Sequence, residues 1–250
     1  MLLRRITKHV KDQNWFAVAL DFFIVVFGVF VGLQVQQWAV EQDTRQREDI
    51  YIERLHGETI LLIEQRKSNL ESRITNKDAL LSAHHKLFGD DNIFEFAPEE
   101  CRTLGVITFM SDLTTDIPVL TELLSAGELN VIRSTELRTS LVQLVQFTAR
   151  TKDALDGINR GTINLQQKYP EFISVKMDLE VLNNSEYILQ AECKTQDMRK
   201  NVAFLNDFVE GHLRYGAYVE GVVLPISARL NELHALLDSE LSITHEEEAK

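Results

Sequence analysis

Trp15-Phe-Ala-Val-Ala-Leu-Asp-Phe-Phe-Ile-Val-Val-Phe-Gly-Val-Phe-Val-Gly-Leu-Gln-Val-Gln-Gln-Trp38 is the stretch that decides the architecture. Asp21 is its only charged residue. As a helix, these 24 residues would span ~36 Å at ~1.5 Å per residue. The apolar core of a bilayer is about 30 Å thick, so the run predicts a transmembrane helix over residues 15–38, with some tilt. Trp15 and Trp38, the only tryptophans in the chain, bracket it at the expected headgroup levels. A cleavable leader needs small residues at −3 and −1 of the cut. Ala39 at −1 would put Gln37 at −3, and Gly32 at −1 would put Phe30 there, so an uncleaved anchor is expected.

The flanking charges orient the anchor. Arg4, Arg5, Lys8 and Lys11 precede it, whereas only Arg45 and Arg47 follow within fifteen residues, among five acids. The positive-inside rule then predicts a cytoplasmic basic tail (1–14) and an extracytoplasmic domain (39–242) with an acidic end (243–250). The 212 residues after the span carry 22 basic and 36 acidic side chains. That balance repels phosphate, so nucleic acid is not an expected partner.

Within the span, Gly28-Val-Phe-Val-Gly32 is a GxxxG pattern whose two glycines share one face and admit a second helix closely. At ~100° per residue Asp21 falls on that face and Gln36 continues it. A carboxylate in lipid is costly, so Asp21 should face protein, water or the interface. Glycine is also common in membrane helices, and Asp21, ~9 Å along the helix from Trp15, can reach headgroups. Association through Asp21, Gly28, Gly32 and Gln36 is therefore one of two open readings.

The run from Leu20 to Trp38 resembles the N-terminal anchor of a family of uncharacterised bacterial single-pass inner-membrane proteins. The matching positions are Asp21, Gly28, Gly32, Leu33, Gln34, Gln36, Gln37 and Trp38. The segment from Glu122 to Arg138 is similar to a second recurring element of that family. The resemblance covers about a seventh of the chain. It implies bacterial inner-membrane anchoring and a helical periplasmic domain, with no activity to carry over.

Four prolines and eleven glycines in 250 residues favour long helices over turn-rich β folds. The expected fold is all-α, the anchor continuing into an elongated antiparallel bundle with coiled-coil-like helices. Ile63, Leu70, Ile74, Leu81 and Phe88 mark an apolar stripe on an outgoing helix, ended by Gly89 and Asp90-Asp91-Asn92. A returning helix from about Lys194 to Leu241 carries a 3-4 seam. It runs through Val202, Leu205, Val209, His212, Gly216, Val219, Val223, Ile226, Leu230, Leu233 and Leu237. Pro225 should kink or break it. Between them, helices are expected to start at Pro98 and at Pro118, the latter ending before Gly127, and another to run from Ser134 to about Lys168. Residues 173–185 give no clear pattern.

Cys101 and Cys193 fall at the distal ends of the outgoing and returning helices, so in an oxidising periplasm a bridge is expected, two buried thiols being the alternative. No Walker loop, nucleophile elbow, dinucleotide fingerprint or zinc spacing occurs. Glu53-Arg-Leu-His56 is a single Glu-x-x-His, and a di-iron bundle needs two. His84-His85 reads as a solvated pair and His212 as a core histidine. No catalytic residue, metal or cofactor is expected, and a small-molecule ligand is left unknown. The expected function is a non-enzymatic scaffold or accessory subunit in the bilayer, contacting itself or another membrane protein. The alternative is a homo-oligomeric sensor or channel-like assembly built on the Asp21/Gly28/Gly32 face, and an enzyme with a scattered site is the third class.

Overall fold

A computed structural model describes residues 15–89, 95–108, 110–111, 115–177 and 189–243. The basic tail 1–14, the Asp90-Asp91-Asn92 stop, residues 178–185 and the acidic end from 244 onward lie outside them. The chain divides into two compact units, Met1–Tyr51 and Ile52–Lys250.

The described residues are mostly helical. Helix α1 is Trp15–Phe88, α2 Pro98–Val106, α3 Pro118–Ser125, α4 Thr135–Asn159, α5 Leu165–Lys168, α6 Thr195–Lys200, α7 Val202–Tyr218 and α8 Leu224–Leu241. In the first unit, the apolar part of α1 is long and apolar enough to cross a membrane by length and composition. Every described side chain from Phe22 to Asp43 is exposed.

The second unit departs from an all-α fold. Residues Ile173–Met177 (β1) and Leu189–Cys193 (β2) form an antiparallel ribbon, Ile173 opposite Cys193 and Met177 opposite Leu189. Ile-Ser-Val-Lys-Met alternates apolar and polar residues, the period of a half-buried strand. Ile173 is buried, and β2 packs on α2. Four or five residues are too few for helix periodicity to be contradicted in the sequence, which hid the ribbon.

Residues 52–88 of α1 run antiparallel to α7 and α8. His56 meets Asp238, Lys77 pairs with Glu220, Tyr215 Oη reaches Arg73 O at 3.5 Å, and His84 lies over Phe208. The packing face of α1 is one residue off the expected stripe: Ile52, Leu55, Leu62, Leu80, Ala83 and Leu87 are buried, while Ile74, Leu81 and Phe88 are 37–48% exposed. The true face is broken midway by buried Thr59, Arg66 and Asn76, which made the neighbouring aliphatic row look more regular.

The returning segment is corrected in the same way. Asn201 interrupts it and caps α7 through Phe204 N (2.9 Å). On α7 the buried face is Phe204, Phe208, Gly211, Tyr215 and Tyr218, and Val202 is 69% exposed. From Val219 onward the expected seam is the buried one: Val219, Val223, Ile226, Leu230, Leu233 and Leu237. A π turn, Val219–Val223, joins the two helices. One extra residue in a turn advances the register by one, which rotates the upper face onto the lower. Pro225 sits in the first turn after it, so α7 and α8 continue through the proline without a break. Helix α4 also ends earlier than expected, at Asn159. Its terminal carbonyl of Ile158 accepts from Arg214 Nη1 (3.1 Å), and that guanidinium occupies the space where a Cβ on Gly161 would lie.

The predicted starts at Pro98, Pro118 and Thr135 match the structure, with Ser134 Oγ accepting from Leu137 N (3.3 Å). Gly127 follows α3 at φ 67°, the left-handed conformation that a glycine adopts without a Cβ clash.

Candidate functional site

The first unit offers a surface rather than a pocket. Phe22, Phe23, Ile24, Val25, Phe27, Val29 and Phe30 are 57–70% exposed. A Cβ added at Gly28 or Gly32 would meet nothing within 4 Å, so both glycines open onto free space. Gln36 and Trp38 are exposed on the same helix. The side chains of Trp15 and Asp21 lie outside the described residues.

In the second unit, the disulfide end is densely held. Cys101 and Cys193 are bonded to each other, with their Cα atoms 5.7 Å apart. Glu100, next to Cys101, sits at the N-terminal turn of α2, where the helix dipole favours negative charge. Its carboxylate accepts from Ala97 N (2.6 Å), Ser82 Oγ (2.6 Å) and Lys86 Nζ (2.8 Å). Burial pushes its pKa up, but hydrogen bonds from Lys86, Ser82 and Ala97 outweigh that and hold it below the usual carboxylate value. Arg199 donates to the carbonyls of Lys86 and Gly89, closing the C-terminus of α1.

Beside this end, His84 stacks on Phe88 (4.7 Å) and lies 5.7 Å from His212. His85 is exposed, so the pair is split between a packed and a solvated ring. His212 Nδ1 is buried with no hydrogen-bond partner among the described residues. Burial, followed by the neighbouring His84, lowers its pKa.

At the other end of the second unit, α1 and α8 bring together three groups far apart in sequence. His56 Nε2 lies 2.8 Å from Asp238 Oδ1, and His234 Nδ1 lies 3.5 Å from Asp238 Oδ2. The two imidazoles stack at 5.1 Å, 9° from parallel. The side chains are 14%, 24% and 12% exposed for His56, His234 and Asp238. His234 and Asp238 are four apart on α8 and so share a face. That spacing was readable in the sequence; His56 was noticed there only with Glu53, which is exposed. Nothing local could have joined His56 to a helix 178 residues later.

An apolar groove of about 510 Å³ lies between α3 and α4 of the second unit, apart from these groups. It is lined by Ile117, Leu120, Leu124, Leu144 and Val145, with Asp116 as its one ionisable residue.

No family model, no curated protein and no solved structure matches this chain.

Proposed function

We propose that the chain is a non-enzymatic, membrane-anchored helical scaffold or accessory subunit that works through contacts with other proteins. The observation that carries this reading is the run of Phe, Val, Ile and Leu side chains on α1 that stands exposed among the described residues. Monomeric soluble proteins rarely expose so continuous an apolar surface, whereas a bilayer solvates it. The charge asymmetry of residues 1–14 supports a cytoplasmic N-terminus and a periplasmic second unit. The disulfide fits an oxidising compartment. The family resemblance of residues 20–38 agrees with both.

A row at seven-residue spacing on α1, Ile74, Leu81 and Phe88, is 37–48% exposed in the second unit and supplies apolar area for a protein partner. Photo-crosslinking from Leu81 in intact cells tests this. A discrete adduct supports it; labelling no stronger than from the exposed polar position Glu71 refutes it. Alkaline phosphatase fused after Ser242 should be active, and an inactive fusion would overturn the orientation. Alkaline carbonate should leave the protein in the membrane pellet.

The open glycine face favours a second reading, a homo-oligomeric sensor or channel-like assembly. Replacing Gly28 and Gly32 by Ile separates the two. Loss of a homo-oligomeric mass on native mass spectrometry would favour the assembly. An unchanged complex with a second polypeptide would favour the accessory role.

A further inference from the structure

We propose that His56, His234 and Asp238 form a binding site for one divalent first-row transition metal ion, of which zinc is the natural probe. This goes beyond the scaffold reading and does not depend on it.

Two neutral imidazoles and one carboxylate are the donor types that borderline divalent ions take, and three protein donors with a fourth position for water is the open form of a tetrahedral zinc site. Metal–donor bonds of about 2.0–2.2 Å place tetrahedral donors roughly 3.3–3.5 Å apart. Here the carboxylate already sits 2.8 Å from one imidazole nitrogen and 3.5 Å from the other. One donor atom from each residue falls within 4.8 Å of the other two.

The charge and burial fit as well. Each Asp238 oxygen faces a different histidine, so a bound cation would share the carboxylate with both rings rather than compete with one. The three side chains are 76–88% withdrawn from solvent, which limits competing water yet leaves an entry path. Hard cations such as calcium take six to eight oxygen donors, and this site offers one carboxylate. Coordination through His56 Nε2 places that ring's proton on Nδ1, so the unprotonated nitrogen faces the ion. Because the ligands come from α1 and α8, the ion would tie the C-terminal helix to the outgoing one.

The test uses the full-length chain in detergent, purified on a tag without histidine and stripped with a chelator. Zinc is titrated against a chromophoric chelator, and bound metal is counted by mass spectrometry. One equivalent should bind, and the thermal midpoint should rise with free zinc, as for any ligand that binds only the folded state. His56→Gln, His234→Gln and Asp238→Asn should each weaken binding by at least about tenfold, since even outer-shell changes cost 10–100-fold. His85→Gln, at an exposed ring, should bind as the parent does. Circular dichroism of the metal-free variants checks that they are folded. Failure of the parent chain to bind an equivalent, or undiminished binding in the His56→Gln/His234→Gln double variant, would overturn the proposal. If a variant does not fold, failure of the parent chain to bind an equivalent still overturns the proposal, and the remaining folded variants place the ion.

Discussion

Cys101, buried in α2, is covalently joined to Cys193 at the end of β2, across a sequence separation of 92 residues. The bond therefore ties the ribbon to the helix it packs against and closes nearly half of the second unit into one loop. On the chain-entropy model a loop of this length stabilises by about 4–5 kcal/mol. Replacing both cysteines by serine should lower the thermal midpoint substantially, and reductant should lower the parent's midpoint but leave the variant's unchanged. Equal midpoints for parent and variant under oxidising conditions would show that the bridge contributes nothing.

Glu100 makes a second, electrostatic tie at the same end. Its carboxylate gathers the Ala97 amide, Ser82 and Lys86, so Glu100→Gln should destabilise by about 1–3 kcal/mol. The folded pKa lies below the ordinary value of 4.5. In that direction the unfolded chain binds the proton first, so the stabilisation is present above pH 4.5 and is lost as pH falls through the folded value. Urea unfolding between neutral and acid pH should show a shallower acid loss in Glu100→Gln than in the parent. Parallel curves would assign the acid sensitivity to other groups.

The helix starts were legible because their chemistry is local: Pro98 with Glu99 and Glu100, Pro118, and Ser134 each act within one turn. The long apolar helix near the N-terminus was legible because twenty apolar residues leave few alternatives. The faces of α1 and α7 were not. Aliphatic rows on these helices are one residue away from the buried ones, and the core is made by Phe204, Phe208, Tyr215 and Tyr218 rather than by the regular Val202, Leu205 and Val209. A seam read across a π turn is correct on only one side of it. The His56, His234 and Asp238 cluster was hidden for a different reason, since it exists only through the antiparallel pairing of α1 with α8.

The π turn gives a sharp prediction. Gly221 is exposed, and an added Cβ there meets nothing within 4 Å. Gly221→Ala should therefore be tolerated or stabilise by about 0.5–1 kcal/mol, the usual gain in a helix interior. Deleting Gly221 should do the opposite. Without the extra residue, α7 turns by ~100° relative to α8, and either Phe204, Phe208 and Tyr215 or Ile226, Leu230 and Leu233 must leave the core. Each such side chain is worth about 1.5–3 kcal/mol of burial. A deletion variant as stable as the parent would mean that the π turn does not set the register.

His212 should make the second unit sensitive to mild acid. Its ring lies 5.7 Å from His84 and 6.0 Å from Phe208, and burial lowers its pKa from the ordinary 6.5. Above pH 6.5 the ring is neutral in both folded and unfolded chains and adds no pH dependence. As pH falls below 6.5 the unfolded chain takes up a proton that the folded chain resists, so stability declines until the folded pKa is reached. Substitution by leucine keeps an apolar side chain against Phe208 and removes the titration. Chemical unfolding at pH ~7 and ~5 should therefore show a smaller loss for His212→Leu than for the parent. An equal loss in the two proteins would place the acid sensitivity elsewhere.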